Sequence, residues 1–291
     1  MLSFIFIGGD MRGVYAARRL GRRYDCRVYG VDAPVAPADL DRSPAPSPRD
    51  YAVLPLPASM DGRTVYAPYL KAGEPPIGFE FLSRVVKPGG AVFTSRVFPL
   101  LEKVCADGGF HLINYFEREE LTVLNAAATA EGAVEIALRE MPIALFRSRV
   151  LITGFGRVGR ALARAFIALG ARVSVAARKY DDLAWAEVAG ATPIPLSATG
   201  ELERALPDFD LVLNTVPAPI FDGRRLGAIG RETLFIELAS TPSIADSALA
   251  EEAGIRVIWA RSLPGKTAPA TAGEIIADTL ENIINGKEHK R

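Results

Sequence analysis

Histidine is almost absent from this sequence of 291 residues, which contains only His111 and His289. His111 begins a predicted strand and is interpreted as structural, and His289 lies in a polar tail. A histidine acid–base site of the kind that D-2-hydroxyacid dehydrogenases use is therefore disfavoured. No tyrosine is followed by a lysine four positions later, which removes the short-chain dehydrogenase arrangement. The lack of a Gly-x-Ser-x-Gly pattern removes the nucleophile elbow of the α/β-hydrolases.

Cysteine is as rare as histidine, and neither Cys26 nor Cys105 has a partner at Cys-x-x-Cys spacing. This pattern predicts reduced thiols, no disulfide framework and no metal site. Long apolar runs are missing as well. None approaches the length of a membrane-spanning helix, and the run at Phe4–Ile7 is too short for a signal peptide. We therefore expect a cytoplasmic protein that does not associate with a membrane.

Excess charge of either sign is also missing, because 34 lysines and arginines balance 34 aspartates and glutamates. The composition gives no support for general binding to nucleic acid or to an anionic membrane. Four arginines gather on one short predicted helix, where we interpret them as a solvated face. They are Arg18, Arg19, Arg22 and Arg23.

The chain is long enough for two domains, and 49% of its residues are hydrophobic. Strand-like and helix-like segments alternate in both halves. This rhythm predicts an α/β fold of two doubly wound parallel-sheet domains, the second a Rossmann domain that binds NAD(P). We expect a flavodoxin- or Rossmann-like substrate domain at 1–120, a helix between the domains at 121–147, and the Rossmann domain at 148–265. A C-terminal helix within 266–291 is expected to pack back on the first domain.

Individual elements are predicted from apolar periodicity and from glycine and proline breaks. A proline-rich surface loop is expected at 33–49. The predicted helices include Met11–Arg23, Glu119–Arg139, Arg157–Leu169 and Ala270–Ile284. The predicted strands include Ser3–Ile7, Cys26–Val31, Tyr51–Pro57, Ala91–Ser95, His111–Phe116, Arg149–Thr153, Arg172–Ala176, Leu211–Val216, Leu234–Leu238 and Val257–Ala260.

The strongest motif is a Gly-x-Gly-x-x-Gly segment that follows the apolar strand Val150–Thr153 and opens an amphipathic helix. In a dinucleotide-binding turn the first glycine makes the tight turn, the second lets the pyrophosphate approach the backbone, and the third lets the helix pack on the sheet. The helix N-terminus then faces the pyrophosphate. We therefore predict a dinucleotide site formed by Gly154, Phe155, Gly156, Arg157, Val158 and Gly159.

The choice of cofactor is predicted from the end of the next strand, where Arg178 and Lys179 stand. A domain that prefers NAD usually carries an acidic residue here, which binds the ribose hydroxyls. A guanidinium can instead pair with the 2′-phosphate of NADP and stack on adenine. We therefore predict NADP rather than NAD. The alternative is that both cations belong to a solvated strand end.

Three more segments follow later strands and are expected to border the same crevice, because a doubly wound sheet binds its ligand at the carboxyl ends of its strands. The first strand ends in glycines too, at Gly8–Asp10, but without the full motif. That turn is either a second nucleotide site or the flavodoxin-like turn of a substrate domain. The cofactor residues predicted in the three segments are Asn214, Thr215, Val216, Pro217, Ala239, Pro264 and Gly265.

Candidates for substrate chemistry lie at the strand ends of the first half and near the long helix that follows. Arginines and hydroxyls in these positions suit a small dianionic substrate. Glu131 is either a base or an ordinary carboxylate on a helix surface. The other candidates are Ser59, Arg63, Thr94, Ser95, Arg96, Glu117, Arg118, Asn125 and Thr129.

Taken in order, these motifs resemble the A subunit of dipicolinate synthase over nearly the whole chain. The Glu-Arg pair, the Thr-x-Glu-Gly segment and the Leu-Pro-Gly and Thr-Ala-Gly segments are more specific than the dinucleotide glycines. The resembling segments are Ile7–Asp10, Leu54–Pro55, Ser59, Phe116–Arg118, Asn125, Thr129–Gly132, Gly154–Gly159, Phe166–Ala171, Ala177–Arg178, Asn214–Pro217, Leu238–Ser240, Leu263–Gly265, Ala268–Pro269 and Thr271–Gly273.

The resemblance implies an oxidoreductase of spore-forming bacteria that works in the mother cell. Its substrate would be dihydrodipicolinate, a ring dicarboxylate from the lysine–diaminopimelate route, and its product dipicolinate. Hydride would pass to NADP, and a flavoprotein-like B subunit would be the partner. Homo-oligomer formation is left open. The resemblance further implies that Ser59, Arg63, Thr94 and Arg118 hold the substrate carboxylates and that Glu131 serves as a base.

Two other interpretations remain open at this stage. The chain could be another two-domain dehydrogenase of the alanine- or shikimate-dehydrogenase type, which a substrate screen would distinguish. It could also be a cofactor-binding subunit that is silent until its partner docks, since no acid–base pair is evident. Activity measured with and without the partner would decide that question.

Overall fold

The computed structural model describes residues 1–32, 47–196, 200–244 and 247–286. The chain divides into two compact units, and the first of them is built from two separate segments. The first unit contains Met1–Asn125 and Pro264–Arg291, and the second contains Ala126–Leu263. The proline-rich loop predicted at 33–49 lies outside the described residues as far as position 46, and so does the tail from 287 onwards.

The first unit contains a five-stranded sheet in which every neighbouring pair is parallel. The strand order is 2-1-3-4-5, which is the flavodoxin-like doubly wound order. In that order the direction of winding reverses between the first and third strands. The strands are β1 (Ser3–Ile7), β2 (Asp25–Tyr29), β3 (Arg49–Val53), β4 (Val86–Thr94) and β5 (His111–Asn114).

Four helices accompany this part of the chain. The first shows why its sequence is helical, because Asp10 caps it by accepting from the backbone N–H of Arg12 at 3.0 Å. Its apolar face, Val14, Ala17 and Leu20, is buried against the sheet. The helices are α1 (Met11–Leu20), α2 (Leu82–Val85), α3 (Pro99–Gly108) and α4 (Glu119–Glu140).

Helix α4 corrects the expectation that no stretch has the length of a membrane span. Its 22 residues are long and apolar enough to cross a membrane by length and composition, and 44% of its apolar window is buried inside the protein. Leu121 belongs to a core of the first unit, whereas Ala133 and Ala137 belong to a core of the second. A helix that lies in a protein core passes the same test of length and composition.

The second unit contains a six-stranded sheet, and its neighbouring pairs are again parallel. Read from one edge the order is the Rossmann order 3-2-1-4-5-6, so the predicted fold class of two doubly wound parallel sheets is confirmed. The strands are β6 (Arg149–Thr153), β7 (Arg172–Ala177), β8 (Thr192–Pro195), β9 (Leu211–Asn214), β10 (Leu234–Glu237) and β11 (Arg256–Trp259). The helices are α5 (Arg157–Ala168), α6 (Tyr180–Val188), α7 (Glu201–Ala205), α8 (Gly223–Ala228) and α9 (Ser247–Glu252).

After the second unit the chain returns to the first through α10 (Leu263–Thr267) and α11 (Pro269–Ile284). Ile276, Ala277 and Leu280 of α11 share one hydrophobic core with Phe4 and Val14. The first unit therefore takes part of its core from the end of the sequence.

Helices α1 and α11 approach each other closely at a glycine. A Cβ on Gly273 would lie 2.6 Å from both the carbonyl oxygen of Arg12 and Tyr15 Cβ, so a larger residue has no space there. The half-buried Arg19 and the exposed Arg23 lie 3.8 and 3.6 Å from the carboxylate of Glu281 on α11. Two of the four clustered arginines therefore contact a helix and do not form a purely solvated face.

Candidate functional site

The dinucleotide motif forms the turn between β6 and α5, and its three glycines have three different surroundings. Gly154 has a φ of +87°, and a Cβ there would lie 2.6 Å from Thr215 Oγ1, so only glycine fits. A Cβ on Gly159 would lie 2.2 Å from the carbonyl oxygen of Gly154, which is how close α5 comes to β6. A Cβ on Gly156 would meet no atom within 4 Å. The turn is thus closed at two glycines and open at the one where a pyrophosphate needs to approach.

Helix α5 begins at this turn without a side-chain cap, because its N-cap residue is Gly156. The start of a helix favours an anion, because the first backbone N–H groups have no partner within the helix and the helix dipole is positive there. Phe155 is buried, and its carbonyl accepts from Arg160 Nε at 3.1 Å. Val158 packs against the core, whereas Arg157 is exposed. The side chains of Phe155 and Val158 therefore anchor the turn, and its backbone is left to meet a ligand.

Strand β7 is followed by two exposed cations, Arg178 and Lys179. In the described part of the chain no carboxylate pairs with either side chain. The nearby Asp182 lies 3.6 Å from Arg160 instead. These two cations at the end of the second strand of a Rossmann sheet stand where a dinucleotide places its adenosine ribose.

A buried polar network joins the carboxyl ends of β6, β9 and β10. Thr153 Oγ1 donates to Asn214 Oδ1 at 2.5 Å, and Asn214 Nδ2 donates to Glu237 Oε1 at 2.6 Å. Glu237 also accepts from the backbone N–H groups of Ala239 at 3.0 Å and Ser243 at 2.9 Å. All of these side chains are buried. The network fixes the chain where it leaves three neighbouring strands.

The predicted segment Asn214–Pro217 begins with the last residue of β9 and lies beside the glycine turn. Thr215 Oγ1 donates to the carbonyl oxygen of Thr153 at 2.8 Å, and the N–H of Val216 donates to Asn214 Oδ1 at 3.2 Å. Pro217 is exposed. Because the Asn214 side chain is fully buried, it orders this turn and does not reach a ligand itself. The structure thus brings Asn214–Pro217 and Ala239 together with the dinucleotide motif in one unit.

Pro264 and Gly265, also predicted as cofactor residues, belong to α10 and are grouped with the first unit. Pro264 is buried, and Gly265 lies on the side chains of Asp10 and Arg12. A Cβ on Gly265 would come within 2.7 Å of Asp10 Oδ2. The glycine of the Leu-Pro-Gly segment is therefore explained by packing within the first unit.

The glycine turn of the first unit, Gly8–Asp10, is occupied by the protein's own side chains. Arg12 is only 4% exposed, and its Nε and Nη2 donate to the carboxylate of Asp10 at 2.9 and 2.7 Å. Arg12 Nη2 also donates to the carbonyl oxygen of Leu56. The cavity at this turn, where the winding of the sheet reverses, has a volume of about 10 Å³, which is about enough for one water molecule and too small for a phosphate. The structure favours the flavodoxin-like turn over a second nucleotide site.

Ser59 and Arg63 lie in a loop organised by a carboxylate that sequence reasoning missed. Asp61 accepts from Ser59 Oγ at 2.9 Å and from the backbone N–H groups of Arg63 and Thr64 at 2.8 Å each. Those hydrogen bonds, the one from the Thr64 N–H foremost, hold the pKa of Asp61 well below its usual range. Ser59 is buried and committed to its own loop, whereas the Arg63 side chain is exposed.

This loop borders a groove of about 950 Å³ at the carboxyl ends of β3 and β4. Arg63 and Arg96 line the groove, and in the described structure no carboxylate pairs with either guanidinium. Arg96 lies over the ring of Phe98, 5.3 Å from its centroid. Phe98 is also the N-cap of α3. Besides Asp61, Glu80 is the other carboxylate of the lining. The groove combines two cations, an aromatic ring and a helix N-terminus, all of which suit an anionic ring compound.

The other predicted substrate residues are not gathered at this groove. Thr94 is fully buried, and its Oγ1 donates to the carbonyl oxygen of Arg96 at 2.7 Å. Arg118 pairs with Glu120 at 2.8 Å. Glu131 is exposed on α4 in the second unit. Thr94 thus supports the strand end from which Arg96 projects.

The two cysteines form no disulfide, and the pKa of each thiol is raised. Burial, followed by the charge of Asp25, raises the pKa of Cys26 to about 12, and burial raises the pKa of Cys105 to about 11. Among the described residues, no group of three or more His, Cys, Asp or Glu side chains is placed to hold a metal ion.

Known proteins resemble this chain along nearly its whole length. No protein-family model matches it. It is 31% identical to the A subunit of dipicolinate synthase from Bacillus subtilis (strain 168), over 97% of this chain and 96% of that protein. The crystal structure of the same subunit from Bacillus halodurans has a TM-score of 0.85 at 27% identity and covers 97% of both chains. The crystal structure of the Bacillus subtilis protein has a TM-score of 0.83 at 29% identity, covering 99% of this chain and 98% of that one. The resemblance found from the motifs is confirmed.

Proposed function

Because the chain belongs to the family formed by the A subunits of dipicolinate synthase, we propose that it oxidises dihydrodipicolinate to dipicolinate with NADP⁺ as the hydride acceptor. The reaction removes one hydride and one proton from the ring, and the loss of both makes the ring aromatic. If the ring of the true substrate still carries a hydroxyl group, a water molecule leaves as well. The observation that carries the proposal is the glycine turn of the second unit.

The fit of a dinucleotide to this turn rests on the contrast among its glycines. Space is closed at Gly154 and Gly159 by backbone and Thr215 atoms and is open at Gly156, at the uncapped start of α5. The backbone N–H groups there would hold the pyrophosphate. The bound cofactor supplies the hydride acceptor, and the protein contributes binding and orientation.

NADP is proposed over NAD because Arg178 and Lys179 are exposed, adjacent and unpaired by any described carboxylate. A 2′-phosphate would give both cations a partner. A site for NAD would instead carry an acidic residue at this position to bind the ribose hydroxyls, and here the two residues are Arg178 and Lys179.

The substrate is proposed to bind in the groove of the first unit, with one carboxylate on Arg63 and the other on Arg96. Phe98 offers an apolar surface to the ring, and the start of α3 favours negative charge. Arg63 was expected from the sequence in this role. For the second carboxylate we propose Arg96 and not Thr94, because the Thr94 hydroxyl already donates to the carbonyl oxygen of Arg96. Arg118 and Glu131 remain secondary candidates as clamp and base.

We further propose that the chain acts in the cytoplasm of the sporulating mother cell together with a B subunit. Its relatives are named as one subunit of a synthase, which supports the existence of a partner. No acid–base pair is evident among the described residues, and the partner would be one source of such a group.

The test combines cofactor titration with a product assay. NADPH and NADH are titrated against the purified chain by fluorescence, and freshly made dihydrodipicolinate is then added with NADP⁺, with and without the B subunit. We expect NADPH to bind more tightly and the absorbance of dipicolinate to appear. A chain that binds neither dinucleotide contradicts the cofactor proposal. Cofactor binding without formation of dipicolinate, both with and without the B subunit, contradicts the proposed substrate.

The groove is tested with the same assay. We expect Arg63→Gln and Arg96→Gln each to raise KM for the dicarboxylate about tenfold or more, which is the loss of one charge-assisted contact. The matched control is Arg84→Gln, because Arg84 is an exposed arginine of the same unit that also lies over a ring, 5.7 Å from the centroid of Phe81. An equal KM for all three variants would remove the groove from the proposal.

A further inference from the structure

Glu237 is a carboxyl residue buried at the end of β10. Its side chain is 1% exposed. Oε1 accepts from Asn214 Nδ2 at 2.6 Å and from the Ala239 N–H at 3.0 Å, and Oε2 accepts from the Ser243 N–H at 2.9 Å and from Ser243 Oγ. Among the described residues no arginine, lysine or histidine pairs with it. Hydrogen-bond dipoles alone offset its charge.

The orientation of the neighbouring Asn214 amide is set by its contacts with the backbone of Val216. The backbone N–H of Val216 donates to Asn214 Oδ1 at 3.2 Å, and Asn214 Nδ2 donates to the carbonyl oxygen of Val216 at 3.1 Å. The Asn214 amide therefore presents its NH₂ group to Glu237. With two backbone N–H groups also directed at it, the Glu237 side chain is surrounded by donors, an arrangement that suits a negatively charged carboxylate.

The position of Glu237 in the sheet relates this charge to one end of a dinucleotide. A Rossmann sheet consists of two mononucleotide-binding halves, and the half after the crossover binds the nicotinamide nucleotide. Strands β9 and β10 belong to that half, next to β6 with its glycine turn. Glu237 thus lies beneath the carboxyl edge of the nicotinamide half, buried in the protein and screened poorly by water.

We propose that the uncompensated charge of Glu237 makes the cofactor site bind the cationic nicotinamide of NADP⁺ more tightly than the neutral nicotinamide of NADPH. This inference rests on the proposed function. Both forms of the cofactor share the adenosine, the phosphates and the riboses, and they differ at the nicotinamide ring, which carries one more positive charge in the oxidised form. Glu237 does not touch the ligand; it acts through its field and by holding the turns after β9 and β10.

The consequence concerns binding and release of the cofactor; the hydride step itself is opposed, because the attraction to the oxidised ring is lost as the ring accepts hydride. The oxidised cofactor is retained for the reaction, and the reduced cofactor loses the attraction once the ring becomes neutral. Release of a reduced cofactor is a step that often limits turnover. A buried anion at this edge therefore favours the binding of NADP⁺ and the release of NADPH.

The test measures the ratio of the two dissociation constants, Kd for NADPH over Kd for NADP⁺, by calorimetry on the full chain. We expect Glu237→Gln to lower this ratio on the order of tenfold, the effect of one charge acting across a partly screened distance. Glu237→Asp keeps the charge and is expected to keep the ratio. Glu232→Gln, which removes an exposed charge of the same unit, is the matched control.

The ratio separates an electrostatic role from a merely structural one. Loosening of the turns weakens both forms of the cofactor equally and leaves the ratio unchanged, and that result would overturn the inference. Should Glu237→Gln fail to fold, Ser243→Ala decides, because it removes one donor from Oε2 and is expected to change the ratio; an unchanged ratio refutes the role of the charge. A parent chain that binds neither form overturns the proposed function as well. Binding of both with a ratio insensitive to these variants overturns this inference alone.

Discussion

Gly265 lies directly on the buried side chain of Arg12, so that a Cβ on Gly265 would come within 2.8 Å of Arg12 Nε. The guanidinium cannot move aside easily, because Asp10 and the carbonyl oxygen of Leu56 hold it. We expect Gly265→Ala to destabilise the first unit by about 1–3 kcal/mol, the usual effect of overpacking. The measurement is thermal unfolding followed by circular dichroism.

The control for that variant is Gly13→Ala in α1, beside Arg12. A Cβ on Gly13 would find its nearest atom at 3.9 Å, and alanine is the better helix former. Its melting temperature should be equal to or higher than that of the parent chain. Equal melting temperatures for Gly265→Ala and the parent would show that the contact is not tight in solution.

Two alanine substitutions in the dinucleotide motif should affect different properties, one the affinity for the cofactor and the other the stability of the fold. Gly156→Ala adds a methyl group where no atom lies within 4 Å, so we expect an unchanged fold and a loss of NADPH affinity of about tenfold or more. Gly159→Ala places its Cβ 2.2 Å from the carbonyl oxygen of Gly154 and should destabilise the second unit itself. Unfolding curves and fluorescence titration distinguish the two. A stable Gly156→Ala variant with full affinity would exclude this turn as the pyrophosphate site.

Arg178→Gln should reduce the affinity for NADPH by about 10- to 100-fold, the loss of a charge-assisted contact to phosphate, and change the affinity for NADH little. The control is Arg172→Gln, since Arg172 is an exposed arginine at the opposite end of the same strand, β7. Titration of each variant with both dinucleotides is the measurement. A parallel loss of NADH affinity would mean that Arg178 does not read the 2′-phosphate.

The stability that the loop Ser59–Thr64 contributes to the fold should depend on pH, because Asp61 holds the loop together. The folded protein lowers the pKa of this carboxyl, so its contribution to stability is present above the pKa of an unfolded aspartate, about 4, and is lost as the pH falls through the lower folded value. We expect Asp61→Asn to be less stable than the parent by a constant amount between about pH 5 and pH 8, and the difference to shrink below about pH 4. Urea unfolding at each pH measures it. A difference that disappears at neutral pH would contradict the sign.

The strands could be predicted from the sequence where one physical signal dominates. The limits of β1 and β6 are predicted to the residue, because short apolar runs end in glycine turns there. Strand β8, Thr192–Pro195, was missed because two of its four residues are proline. An edge strand tolerates proline, since one side of it needs no hydrogen-bonding partner, and β8 lies at the sheet edge. The short helices α6 to α9 were missed as well, since they owe their stability to packing more than to periodicity.

The candidate site was predicted unevenly for a related reason. A backbone motif such as Gly154–Gly159 is local, and the spacing of its glycines is enough to predict a dinucleotide-binding turn. Arg96 was a candidate because it follows a strand. Asp61 was missed although its partners Ser59, Arg63 and Thr64 lie within three residues, because an aspartate in a loop has no distinctive spacing. Glu237 acts through Asn214 of another strand, which spacing does not reveal. Glu237 closes a strand and precedes Ala239, so the only signal was a charged residue at the end of an apolar run.

The split composition of the first unit has a consequence for how the protein is made. The second unit is one continuous stretch and can close its core as soon as Leu263 has left the ribosome. The first unit is begun earlier but must wait for α11, whose Ile276 and Leu280 complete the core around Phe4. During synthesis the older half is therefore the last to mature, and a premature stop before α11 would leave the core around Phe4 incomplete.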